Sequence, residues 1–194
     1  MKSLLLLPVL LAAYSLPVAA PAVPIGENDW VVDPVHSSVV FKVKHANVAW
    51  FYGNFDVVEG TVSLDPKAPE TAKVAISIPV DSVHTRDKKR DEHLKGPDFF
   101  NSKENPKITF TSTKVEKKGE ALDVTGDLEI AGKKKSVTLT VAKTGEGEMM
   151  GARVGFETTF TIKRSDFGMT YGVAKNMLGD EVTLTIALET TKPK

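Results

Sequence analysis

Residues 122–141 read LDVTGDLEIAGKKKSVTLTV. Leu122, Val124, Leu128 and Ile130 alternate with polar residues, Ala131-Gly132 interrupts, and Val137, Leu139 and Val141 resume the alternation. A period of two sends every second side chain to one face of a strand. Glycine accepts the positive φ of a tight hairpin turn. The stretch is therefore two antiparallel strands, each apolar on one face.

The same pattern extends in both directions. In Ser38–His45, Val39, Phe41, Val43 and His45 share a face while Lys42 and Lys44 take the other. Val74, Ile76, Ile78 and Val80 repeat it, as do Val154, Phe156, Phe160 and Ile162, and Val182, Leu184, Ile186 and Leu188. Phe55–Leu64 and Ile108–Val115 read as weaker strands, Trp30–Val32 as a short one, and Lys118-Gly119 as another turn. About eight long strands with one apolar face must close or stack to bury it, and sequential hairpins favour an all-β, eight-stranded antiparallel barrel. Such a barrel is just wide enough inside for side chains or one small ligand. An outer-membrane barrel would carry its apolar face outward, and the many lysines opposite the apolar face argue against that.

Two stretches break the alternation. Residues 87–95 (DKKRDEHLK) read as one short helix between strands, stopped by Gly96-Pro97. Residues 166–180 (DFGMTYGVAKNMLGD) are glycine-rich and read as a long loop with one helical turn; loops of that length often carry function.

Composition sets the class. The 194 residues hold 25 basic and 25 acidic side chains, which leaves no electrostatic footprint for nucleic acid. Hydrophobic residues at 41% and charged residues at 26% are ordinary for one folded domain. Without cysteine there is no disulfide, thiolate nucleophile or cysteine-ligated metal. Lys2, the apolar run Leu4–Ala13 and Ala20-Pro21-Ala22 read as a secretory signal peptide over residues 1–22, the run being shorter than the ~20 residues a membrane span needs. Residues 23–194 are then the single mature domain. Export without cysteine points to the bacterial periplasm.

Several motifs resemble one family. Asp33-Pro34-Val35-His36-Ser37 and Gly53-Asn54-Phe55 come early; Arg90-Asp91-Glu92-His93-Leu94, Asp98-Phe99-Phe100 and Asn105-Pro106-Lys107-Ile108-Thr109-Phe110 follow; Gly126–Gly132 and Arg164-Ser165-Asp166-Phe167-Gly168-Met169 close the series. In this order they resemble the YceI-like family of lipocalin-like, polyisoprenoid-binding periplasmic proteins, over Trp30 to Leu188. Lys88-Lys89, Gly96-Pro97 and Tyr171-Gly172 depart from the pattern.

The resemblance implies a long apolar cavity that holds an isoprenoid or quinone-like lipid, with no further cofactor. On it, Phe41, Val43, Phe55, Ile76, Ile78, Phe99, Phe100, Phe110, Val124, Phe156, Phe160, Phe167 and Met169 are the ligand-lining candidates, although for any single one core packing is the plainer reading. His36, His45, Arg90, Asp91, His93 and Arg164 are candidates for a polar mouth or head-group site. For Arg90, Asp91 and His93 a structural tether of the helix is an equal alternative, with Arg90 and Asp91 diverging so that one anchors and the other faces solvent. The histidines lack metal-ligand spacing, so no metal is expected. No catalytic motif appears, so an enzyme is disfavoured. Lys133-Lys134-Lys135 reads as a solvated hairpin tip, with membrane-surface contact as the alternative.

Three functions stay open at this stage. They are a lipid carrier or store, an enzyme acting on such a lipid, and a structural or stress-protective envelope protein whose barrel is filled by its own side chains. The oligomeric state is not fixed by the sequence, and a homodimer is one option.

Overall fold

The computed structural model describes residues 26–148 and 150–193; the expected leader lies outside them. The chain runs β1 (Asp29–Val32), β2 (Ser38–His45), β3 (Ala49–Phe55), β4 (Glu59–Ser63), β5 (Lys73–Pro79), β6 (Val83–His84), α1 (Lys88–Lys95), β7 (Lys107–Lys118), β8 (Ala121–Ile130), β9 (Lys133–Gly147), β10 (Arg153–Lys163) and β11 (Leu178–Thr191). Eight strands close a ring in the order β1-β4-β5-β7-β8-β9-β10-β11, with β11 returning to β1 and each pair antiparallel. This is the eight-stranded barrel the alternation implies. The free edge of β11 serves two strands in turn, β2 from Leu178 to Ala187 and β1 at Thr190 and Thr191. β3 and then β6 extend from β2.

The two faces behave as their residues require. Val124, Leu128, Ile130 and Leu139 are buried inside. On the outer face hydroxyls pair across strands: Thr125 with Thr138 at 2.8 Å, Thr159 with Thr185 at 3.0 Å and Thr161 with Thr183 at 3.0 Å. Such cross-strand pairs stabilise a sheet locally. The turn between β8 and β9 takes positive φ at Ala131 (48°) and Gly132 (71°), where the sequence placed it.

One strand differs from the sequence reading. In place of one strand over Phe55–Leu64 there are two, β3 and β4, separated by Asp56–Val58. The turn before β3 takes positive φ at Ala46 and Asn47 without any glycine to mark it. β3 also exposes Trp50 and Tyr52 on the face opposite buried Phe55, so its alternation is invisible to a hydrophobic/polar pattern.

α1 begins where Asp87 accepts a hydrogen bond from the Arg90 backbone N–H at 3.0 Å. Together with the turns through Asn105 it covers one end of the barrel, here called the closed end. The stretch after β10 opens with a short helical turn, Arg164–Phe167, stopped by Gly168 at φ 81°. Only the residues between Gly168 and β11 are loop.

Candidate functional site

The inward side chains leave an apolar lumen in two chambers. One, of about 100 Å³, is walled by Val62, Val74, Ile76, Phe110, Val124, Phe156, Phe160 and Leu188 among others. The second, of about 80 Å³, lies toward α1 and is walled by Phe41, Val43, Leu94, Phe99, Phe100, Ile162 and Met169. Phe55, Ile108, Ile130 and Leu184 border both, forming a waist between them. The Phe55 ring is held there by Phe41 at 5.8 Å and Phe100 at 5.7 Å between centroids.

The first chamber shares Leu64, Leu122, Val141 and Phe156 with a wider depression of about 500 Å³ at the opposite end of the barrel. That end is open. Its rim comprises Trp30, Pro66 and Pro69, the β7–β8 hairpin with Lys117 and Glu120, and the β9–β10 hairpin with Lys143, Glu146 and Arg153. Of the apolar candidates, Phe41, Val43, Phe55, Ile76, Ile78, Phe99, Phe100, Phe110, Val124, Phe156, Phe160 and Met169 border a chamber. Phe167 is buried in the core but borders neither.

The polar candidates do not gather at the open mouth. Arg90 and Asp91 both turn onto Thr85: Arg90 is exposed, as one of the two was expected to be, but it anchors the helix as well. Asp91 accepts from the Thr85 N–H at 2.9 Å and from its hydroxyl at 2.5 Å. Arg90 Nε donates to Thr85 Oγ1 at 2.8 Å, Nη2 donates to Thr85 O at 2.7 Å, and the guanidinium lies 4.3 Å from the Phe51 ring. Adjacent residues converge because Thr85, itself buried, sits just before the helix. They tether α1. His93 bonds Asp98 at 2.9 Å and stands edge-on to Phe99 (5.1 Å) and Tyr171 (5.0 Å), joining α1 to the loop before β11. His45 ends β2 opposite Leu178, at the same closed end.

Arg164 is buried, and four carbonyls surround it: Gly179 (2.8 Å), Met169 (2.7 Å), Tyr171 (2.7 Å) and Leu178 (3.0 Å). Burial pulls its pKa below the ordinary arginine value, partly offset by the charge of Asp180. Its guanidinium fastens the loop.

Against known proteins, the model of the YceI-like domain matches residues 30–190. Protein YceI of Escherichia coli O157:H7 is 40% identical over 164 residues, covering 82% of this chain and 83% of its own. The chain belongs to the YceI-like family. The YceI protein of Campylobacter jejuni, whose crystal structure is known, is 34% identical with a TM-score of 0.67 over 73% of this chain and 85% of its own. BcnA of Burkholderia cenocepacia is 29% identical with a TM-score of 0.76 over 82% of this chain and 99% of its own. A Saccharophagus degradans domain described as polyisoprenoid binding shares the fold at 16% identity and a TM-score of 0.66, over 84% of this chain and 98% of its own.

In this YceI-like barrel His36 stands apart from the other polar candidates, on the outer wall toward the open end. It bonds Asp33 at 2.9 Å, and Arg153 donates to both Asp33 (2.9 Å) and Glu189. Asp33, His36 and Glu189 bring three ligand atoms within 4.8 Å of one another, but the guanidinium already neutralises both carboxylates. The hydrogen bond from His36, then that from Arg153, holds the Asp33 carboxyl well below the usual carboxylate range. The open-mouth residues Trp30, Lys117, Glu120, Lys143 and Glu146 were not singled out from sequence. The turn at Lys118-Gly119 was the one available signal, since hairpin tips of a barrel make its rim.

Proposed function

We propose that this YceI-like protein sequesters, stores or carries a long-chain isoprenoid lipid, polyprenyl or quinone-like, in its lumen, as an exported periplasmic protein. The observation that carries the reading is the pair of apolar chambers that meet at a waist, the first of them sharing wall residues with the open mouth. At ~3.3 Å per residue and a tilt of ~40°, the fourteen residues of β11 give a barrel about 35 Å tall. Burying a hydrocarbon tail yields about 25 cal/mol per Å² with no directional contact. Among the described residues the charged positions bordering the two chambers are Glu157, whose side chain is exposed, and Arg164, already engaged. This favours binding over catalysis. The tail lies inward and the head group at the mouth, near Lys117 and Lys143. A neighbour of the same fold is described as polyisoprenoid binding, which is in keeping with this use of the barrel.

The chambers are small as they stand. An apolar cavity of about 150 Å³ engineered in another protein admits benzene. Chambers of about 100 and 80 Å³ therefore admit a long chain only when the waist side chains turn aside. That tight packing is also what a ligand-free, stress-protective barrel would show. Two measurements separate these readings. Solvent extracts of natively purified protein, analysed by mass spectrometry, are expected to contain one long apolar lipid near one per chain. Val43→Trp, at the second chamber, is expected to expel that lipid while the lipid-stripped protein keeps its melting midpoint. A lipid-free extract together with early melting of Val43→Trp, by about 1–3 kcal/mol of overpacking, assigns the barrel to the structural role.

A further inference from the structure

The loop tips at the two ends of the barrel differ in charge. Residues 42–53, 130–135 and 167–179 contain the β2–β3 tip, the β8–β9 tip and the loop before β11, all at the closed end; together they hold six lysines and no acidic residue, while residues 86–106, which cover the rest of that end, hold six basic and five acidic residues. The open-end tips, 64–73, 117–123 and 145–153, hold six acidic residues against five basic ones. The closed-end tips also carry large exposed apolar side chains: Val48 at 80% exposure, Trp50, Tyr52, Tyr171 and Met177.

These groups form one surface. The Ala46 N–H donates to Met177 O at 3.0 Å, so the β2–β3 tip touches the loop before β11. Tyr171 in that loop meets His93 of α1, and the Lys133 side chain crosses Gly168. Lys42 and Lys44 each hold an ammonium 4.9 Å from the Trp50 ring. The nearby carboxylates of α1 are engaged locally: Asp87 caps the helix, Asp91 holds Thr85, Glu92 pairs with Lys95 at 3.0 Å, and Asp98 pairs with His93.

We propose that the closed end docks on an anionic phospholipid bilayer. Tryptophan and tyrosine favour the membrane–water interface. Lysines near an anionic surface are attracted to it, and their stems lie along apolar groups while the ammonium stays wet. A second copy is the poorer occupant, because it would set lysine tips against lysine tips. None of the described helices is long and apolar enough to cross a membrane, so among the described residues the contact is peripheral. Docking in this pose places α1 and the loop before β11 against the lipid, with the open mouth facing away. It needs no ligand in the lumen and stands or falls separately from the lipid-carrier reading.

The test uses the mature chain, residues 23–194, carrying Trp30→Phe, so that Trp50 is the sole tryptophan. It is mixed with vesicles of phosphatidylglycerol and phosphatidylethanolamine, or of phosphatidylcholine alone. Co-sedimentation and a blue shift of Trp50 emission are expected with the anionic vesicles only, both weakening as salt is raised. Lys134→Glu/Lys135→Glu/Lys175→Glu is expected to lower partitioning by roughly tenfold or more. Lys67→Glu/Lys73→Glu at the open end is expected to leave it within about twofold on the same reasoning. No sedimentation, equal sedimentation with both vesicle types, or an equal loss in the open-end variant overturns the proposal. So does a dimer in vesicle-free solution that the closed-end substitutions abolish.

Discussion

The tip of the Phe41 ring lies against Gly53, its partner on the neighbouring strand. A β-carbon at residue 53 would stand 2.3 Å from Phe41 Cζ, and the other atoms it meets most closely belong to the same ring. The glycine lets a large ring fold against the wall and leaves the second chamber open. Gly53→Ala is expected to push Phe41 into that chamber, weaken lipid uptake and cost about 1–3 kcal/mol of stability. Adding Phe41→Leu is expected to restore uptake, read by titration of stripped protein with a polyprenol. No change in uptake on Gly53→Ala would show that this chamber does not hold the chain.

Phe55 separates the chambers. Phe55→Ala is expected to cost about 3–5 kcal/mol and to merge the two spaces, so that the variant retains longer chains than the parent from a mixed-length pool. Mass spectrometry of the retained lipid reads this directly. An unchanged length distribution would place the limit elsewhere.

Arg164 was a head-group candidate from sequence, and the structure surrounds it with carbonyls. Arg164→Gln leaves carbonyls of Met169, Tyr171, Leu178 and Gly179 short of donors. A loss of about 3 kcal/mol or more in chemical denaturation is expected. In the fraction that stays folded, the lipid found should be the same as in the parent. Loss of lipid without loss of stability would return Arg164 to the ligand.

The pH dependence of stability follows from Asp33. Its carboxyl is held down in the folded chain, first by His36 and then by Arg153, whereas in the unfolded chain it titrates near ~3.9. The unfolded state therefore takes up the proton first. The stability Asp33 contributes is complete above about pH 4 and is lost as pH falls through its lower native value. Melting midpoints measured from neutral to acid pH should show a shallower acid decline in Asp33→Asn than in the parent. Coincident acid limbs would remove Asp33 from the account.

Export is checked at the N-terminus. The mature protein, recovered from the periplasmic fraction, is expected to begin near Val23 by mass measurement. Retention of residues 1–22 in the membrane fraction would mark them as an anchor.

The wall of the barrel was legible because burial and period agree. In β8 each inward position from Val124 to Ile130 is apolar or glycine, and each outward one is polar. β3 was not legible, because Trp50 and Tyr52 lie outward and the turn at Ala46-Asn47 carries no glycine. All the apolar candidates but Phe167 border a chamber for the same reason that the strands could be read, since an inward residue of a barrel borders its lumen almost by construction. The polar candidates were harder. Which partner a side chain finds depends on distant chain segments: Arg164 meets residues up to fifteen positions away, and Arg153 meets Asp33 across 120. Spacing on a helix could not foretell that Arg90 and Asp91 both bend back to Thr85.

The two-partner edge of β11 governs when this molecule can become whole. Val31 pairs with Thr191 and Ser38 with Ala187, so one edge of each N-terminal strand waits for β11. Contacts this distant in sequence close slowly, and the ring has no closure until β11 reaches β1. A chain cut before Leu178 would expose the edges of β2 and β10 at once, with neighbouring chains as the remaining partners for them.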